Sequence, residues 1–273
     1  ISTFTYVDGA LDGVLHFAAA QNDTMPFFPT RRTLPIDDRS IAGFVAMRGV
    51  PRLLRANHGF FWVALLVFLV PAVAAGVTVR LAPDLAPRIL PRQMLAEMEQ
   101  MHSEKDRAEG TGAEAGMTGF YVYNNVGIAF RVFATGVLLG IPTLALLFYN
   151  GIVLGTVFGF LFARGQGEPL LAFVIGHGAF ELTAIVVAGA AGLMLGEAIL
   201  RPGQRTRIDA LRVRGLASIQ IAVGAGVMLG IAALIEAFWS PSPIPGNVKY
   251  GVGIVLWLLV IGYLALAGRE ARR

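Results

Sequence analysis

Residues 59–79 read GFFWVALLVFLVPAVAAGVTV, twenty-one positions without a charge. A helix rises 1.5 Å per residue, so about 20 mostly apolar residues cross a hydrocarbon core of about 30 Å. The stretch therefore predicts a transmembrane helix, kinked at Pro71 where the freed carbonyl must find a neighbour. Working outward, further apolar stretches lie at 126–149, 151–163, 170–199, 216–239 and 251–267. The expected fold is an all-α polytopic bundle with six spans. Because 151–163 is short for a crossing, five spans plus a re-entrant segment remain the alternative.

Composition agrees. Of 273 residues, 55% are hydrophobic and only 15% charged, against about 25% charged in soluble domains, and the mean hydropathy is +0.65. These values exclude an ordinary soluble enzyme. The absence of cysteine excludes disulfide frameworks, thiolate metal sites and cysteine nucleophiles. Ile1 in place of Met suggests a trimmed start.

Orientation follows from basic flanks, which stay cytoplasmic. Arg48, Arg52 and Arg55 precede the first span; Arg201, Arg205, Arg207, Arg212 and Arg214 separate the fourth and fifth; Arg269, Arg272 and Arg273 follow the last. The segment 80–117 carries seven acids (Asp84, Glu97, Glu99, Glu104, Asp106, Glu109, Glu114) against five bases and belongs outside. Three crossings between it and Arg201 put both termini in the cytoplasm. Tyr121, Tyr123, Trp239 and Tyr250 suit an outer aromatic belt, and Phe60, Phe61 and Trp62 an inner one. The basic pI of 9.8 thus reflects anionic headgroups as partners and not nucleic acid.

The organisation expected is a cytoplasmic segment 1–58, the first span 59–79, an extracytoplasmic loop 80–117, a core 118–215 with three crossings and a basic loop, and two C-terminal spans with a short basic tail, 216–273. Asp37 and Asp38 can cap a helix over 39–55, broken at Pro51, that either lies on the membrane or links to the first span. Met94, Leu95, Met98 and Met101 form a narrow apolar stripe on a charged outer helix, suited to packing on its own protein or the membrane, or to docking a partner. It ends in the glycine-rich run 110–116. Residues 1–36 show no convincing periodicity.

Intramembrane polar groups are costly and so are functional candidates. His177 and Glu181, four apart in GHGAFE, share one helix face near mid-membrane, and Gly176 and Gly178 permit close approach or a helix break exposing a half-helix N-terminus. The pair either cements helix packing, handles protons or ions, or serves catalysis. Arg131, beside Asn124 and Asn125, either pairs with Glu181 or snorkels to headgroups. Glu236 is expected at the outer interface. Asn150 is read as a tight Asn-Gly turn between antiparallel helices. Gly151, Gly155 and Gly159 clear one helix face for close contact, as do Gly189, Gly192 and Gly196, and Gly226 and Gly230. They join helices of one chain or of a homodimer.

No catalytic motif is evident, and a hydrolase with Glu181 as base would need a metal or nucleophile that the sequence does not offer. The four histidines, His16, His58, His102 and His177, form no HExxH or other zinc set. No GxSxG occurs, Ser218 lacks an evident base, and no phosphate-binding glycine loop is present. No catalytic residue, metal or cofactor is predicted.

The runs NNVGIAFRVFATGVLLGIPTLALLFYNGIVLGTVFGF and GHGAFELTAIVVAGAAGLMLGEAILRPGQRTR resemble the stage II sporulation protein M family of bacterial multi-pass membrane proteins, over about 119–210. The resemblance rests on Asn124-Asn125, Asn150-Gly151, His177-Gly178 with Glu181, and Pro202-Gly203, in that order, with PRLLRANHGFF as the entry to the first span. It implies an inner-membrane scaffold like the founding member, which acts with peptidoglycan-degrading partners during engulfment. Many relatives lie beside genes for MoxR-type ATPases and von Willebrand-like proteins, which implies other envelope proteins as partners. The first 36 residues depart from the family's helical lead. The expectation is a membrane scaffold or subunit of an envelope complex. The alternative is a small-solute or ion transporter, with water beside His177 and Glu181.

Overall fold

The computed structural model describes the backbone of residues 2–6, 17–22, 25–26, 49–101 and 113–269, and side chains over 49–100 and 124–269. Three short strands, β1 (Ser2–Tyr6), β2 (Phe17–Asn22) and β3 (Met25–Pro26), pair antiparallel in the order β1-β2-β3, a feature with no counterpart in the sequence reading. From Val50 onward every regular element among the described residues is helical. These are α1 (Val50–Ala56), α2 (His58–Leu81), α3 (Ala86–Ile89), α4 (Arg92–Met101), α5 (Ala113–Ala134), α6 (Ile141–Ala163), α7 (Gly167–Leu200), α8 (Arg207–Leu234) and α9 (Gly246–Leu266). Five of them, α2, α6, α7, α8 (continued to Trp239) and α9, are long and apolar enough to cross a membrane.

Two boundaries differ from expectation. The apolar stretch 126–149 is not one helix: a 3-10 turn at Thr135–Val137 leads into Leu139 (φ 61°) and Gly140 (φ 74°), where the chain reverses. Glycine suits this left-handed geometry, and Gly140 caps α6. Asn150 and Gly151 consequently lie mid-helix, which corrects the reading of a turn there. The short stretch 151–163 is the second half of the 23-residue α6, so the length argument for a re-entrant segment falls. Upstream, Pro51 lies in the first turn of α1, where proline is compatible with a helix. Asp37, Asp38 and the start of the proposed 39–55 helix lie outside the described residues, as do His16 and His102.

The bundle is organised by α2, α6 and α7. A Cβ added at Gly151 would meet Phe68 O, one at Gly155 would meet Ala72 O, and one at Gly159 would meet Gly76 O. Both series ascend together, so α2 and α6 are parallel, with their backbones in contact. Gly189, Gly192 and Gly196 face Leu147, Thr143 and Gly140 in descending order, so α7 runs antiparallel to α6. Without side chains at these positions, backbones approach closely enough for dispersion to hold the helices in an apolar solvent. Gly226 and Gly230 differ: no described residue lies within 4 Å of a Cβ built there, so they are not packing sites among the described residues.

At one end of the bundle Arg55 anchors α1 to the last turn of α9, donating to Leu264 O (2.8 Å) and Ala267 O (2.5 Å). Arg214 pairs with Glu197 at the same end. At the opposite end Gln166 Nε2 donates to Glu99 O (3.0 Å), Arg164 lies 3.9 Å from the Glu99 carboxylate, and Tyr250 donates to Glu168 O (3.1 Å). Arg55→Ala is expected to cost about 1 kcal/mol, below the range of about 1.5–3 kcal/mol for a hydrogen bond to a charged group because the guanidinium is partly exposed and screened. It should also raise amide exchange in the last turn of α9 without changing exchange in α6.

Candidate functional site

The helix α4 sits over the bundle with Leu95 buried and Met94 and Met98 packed against the cluster of Val79, Val157, Phe160 and Leu170. The methionine stripe is therefore used within the chain. Met94, Glu97 and Met98 line one end of a cavity of about 520 Å3. Its walls are apolar, with Phe68 from α2, Ile128 from α5, Val153 and Phe158 from α6, and Phe173 from α7. Asn124, Asn125, Asn150, His177, Glu181 and Glu236 supply polar lining.

Local sequence explains how these groups arrive. α7 runs unbroken for 34 residues, so Gly176 and Gly178 open no half-helix. They give room instead: a Cβ at Gly176 would lie 3.2 Å from Ile235 Cγ2 and 3.4 Å from Trp239 Cδ1. At this contact α8 gives way to a π-helical turn, Ile235–Trp239, and such turns insert an extra residue that re-aims side chains. Glu236, within it, is only 3% exposed and shares with Glu181 and Asn125 the lining of a small adjoining void of about 10 Å3, the size one water requires. Its expected place at the outer interface is thereby corrected.

His177, 5% exposed, lies about 15 Å along α7 from Gly167 at 1.5 Å per residue. Its Nδ1 is 2.9 Å from Ser240 Oγ, and its Nε2 is 3.9 Å from Glu181 Oε2. Its ring meets Phe173 edge to face at 5.4 Å. Ser240 O in turn accepts a hydrogen bond of 2.6 Å from the buried Lys249 Nζ on α9. A polar chain from Lys249 through Ser240 to His177 and Glu181 thus crosses three elements. Such groups need partners away from water, and here each supplies the next.

Of the remaining candidates, Asn124, Asn125 and Asn150 join His177 and Glu181 on the cavity, Asn150 also donating to Leu146 O (2.7 Å). Arg131 does not join them. It is exposed, its Nε donates to Gly127 O (3.0 Å), and no ion pair with Glu181 forms. Ser218 donates to Arg214 O (3.0 Å), a bond within its own helix. Trp239 and Ser240, which the sequence reading left out of the cluster, have a signal only in retrospect: a tryptophan and a serine following an intramembrane glutamate. No group of three or more histidine, aspartate or glutamate side chains suited to a metal ion occurs among the described residues.

Five helices long and apolar enough to cross a bilayer, packed beside a mainly apolar cavity with a few polar side chains, are those of a membrane protein. The model of the family described as Stage II sporulation protein M matches residues 64–241, and the chain belongs to that family. No match was found among curated proteins or among solved structures.

Proposed function

We propose that this protein is a non-enzymatic integral subunit, or scaffold, of an envelope-associated complex in the bacterial cytoplasmic membrane. The family match over residues 64–241 carries the reading, since the description of that family names a sporulation-stage protein. The architecture supports it: closely packed helices α2, α6 and α7 form a stiff frame, and α4 is strapped to one end by Gln166 and Arg164 with charged residues available to other envelope proteins. Six crossings, by α2 and α5 to α9, give this end the extracytoplasmic side. The basic end, with Arg55, Arg201, Arg207 and Arg214, then meets anionic lipid in the cytoplasmic leaflet with both termini inside.

The cavity favours a second reading, a small-solute or ion transporter, because His177 and Glu181 border space for a ligand. The two readings separate by access. The chain has no native cysteine, so Asn125→Cys, His177→Cys and Glu181→Cys are clean labelling sites in intact cells and inverted vesicles. A subunit without a conducting route predicts reaction with an impermeant thiol reagent from the outer side only, or none. Reaction of Glu181→Cys from the cytoplasmic side would replace the scaffold by the transporter.

A further inference from the structure

The charge and shape of the cavity point to a ligand class. Among the described residues its lining carries three carboxyl groups, Glu97 on α4 and the largely buried Glu181 and Glu236, and no lysine or arginine. Glu236 accepts no hydrogen bond from any described residue although it is 3% exposed, and among the described residues the ion-pair contact of Glu181 is His177 Nε2 at 3.9 Å. Lys249, a buried ammonium on α9, donates to Ser240 O and is not among the residues that line the cavity. Two carboxyl groups that are largely buried and face one cavity repel each other and lose hydration when ionised, and a bound cation relieves both costs.

The rest of the lining sets the body of that cation. Phe68, Phe158 and Phe173 present aromatic surface, with Val153, Leu154 and Ile185 between them, so a bare inorganic ion would leave most of the space unfilled. A volume of about 520 Å3 lies within the range of about 300–1,000 Å3 typical of small-molecule sites. Aromatic faces also attract a diffuse positive charge.

We propose that the cavity beneath α4 binds amphiphilic organic cations, with the charged centre between Glu181 and Glu236 and the apolar body against Phe68, Phe158 and Phe173. Only binding is claimed, so the inference goes beyond the scaffold reading and does not depend on it.

The test uses two probes of the same shape and opposite charge, tetraphenylphosphonium and tetraphenylborate, with the full chain in nonionic detergent and calorimetric titration. Saturable binding of the phosphonium and none of the borate is expected. Glu181→Gln and Glu236→Gln should each weaken phosphonium binding at least about tenfold, and the double variant should abolish it, while thermal midpoints report folding. Should these variants fail to fold, Asn125→Cys keeps both carboxyl groups, and the phosphonium should slow its reaction with a thiol reagent where the borate does not. Equal binding of the two probes, as expected of an apolar cavity with protonated carboxyl groups, would overturn the proposal. So would an unaltered affinity in a folded double variant, or no saturable binding.

Discussion

Gly155→Leu is expected to separate α2 from α6 and to produce the largest loss of stability of any single substitution in the bundle. Even the first added atom, the Cβ, would collide with the Ala72 carbonyl oxygen and lie 2.8 Å from Ala72 C and 2.9 Å from Gly76 N. These are backbone atoms and cannot rotate away. Overpacking typically costs about 1–3 kcal/mol and occasionally more; Gly155→Ala should fall at the upper end of that range, and leucine beyond it. Thermal unfolding in detergent followed by circular dichroism checks this. Gly226→Ala on α8 provides the contrast: its Cβ meets nothing within 4 Å, and helix propensity alone favours alanine by about 1 kcal/mol. A loss at Gly226 equal to that at Gly155 would contradict the assigned contact.

Lys249→Met should be the second large effect, at about 1.5–3 kcal/mol, the range for a hydrogen bond to a charged group. Lys249 is 6% exposed, and its Nζ holds the Ser240 carbonyl at 2.6 Å. Methionine retains most of the side-chain volume, so the substitution removes the donor with little change in packing. The Ser240 carbonyl would then be left with less compensation for its burial. Because Ser240 Oγ also contacts His177, the effects of Lys249→Met and Ser240→Ala should be non-additive. Strict additivity, measured by a double-mutant cycle on thermal midpoints, would dissolve the chain from Lys249 to His177 into independent contacts.

Hydropathy made much of this architecture legible, because a lipid-crossing helix announces itself locally. Residues 59–79 are the core of α2, and the triplet Gly151, Gly155 and Gly159 is a packing face as read. The connection between α5 and α6 was hidden for the opposite reason. Its turn is made by Leu138, Leu139 and Gly140, as apolar as the helices it joins, and no polar residue marks it. Asn150-Gly151, a turn signal in water, is instead absorbed into a helix where Asn150 bonds Leu146 O and Gly151 accommodates α2.

The polar cluster was legible only along one helix. His177 and Glu181 are four apart, so their shared face follows from helical periodicity. Glu236, Ser240 and Lys249 reach it by tertiary packing and by a π turn, neither of which leaves a periodic trace in the chain. Arg131 failed as a partner for Glu181 because depth along a helix does not determine the direction in which a side chain points. Its own Gly127 carbonyl supplied an acceptor one turn away.

The parallel pairing of α2 with α6 has a consequence for biosynthesis. Gly155 meets Ala72 across about 80 intervening residues, which at roughly 5–20 residues per second take on the order of 4–16 s to translate. During that interval the first apolar helix has been made and its principal partner has not. Lipid, the insertion machinery or a chaperone must cover the surface that α6 will later occupy. Ribosome pausing between these two helices would lengthen the exposure, and a slowed nascent chain should be more open to membrane proteases than a slowed chain arrested after residue 163.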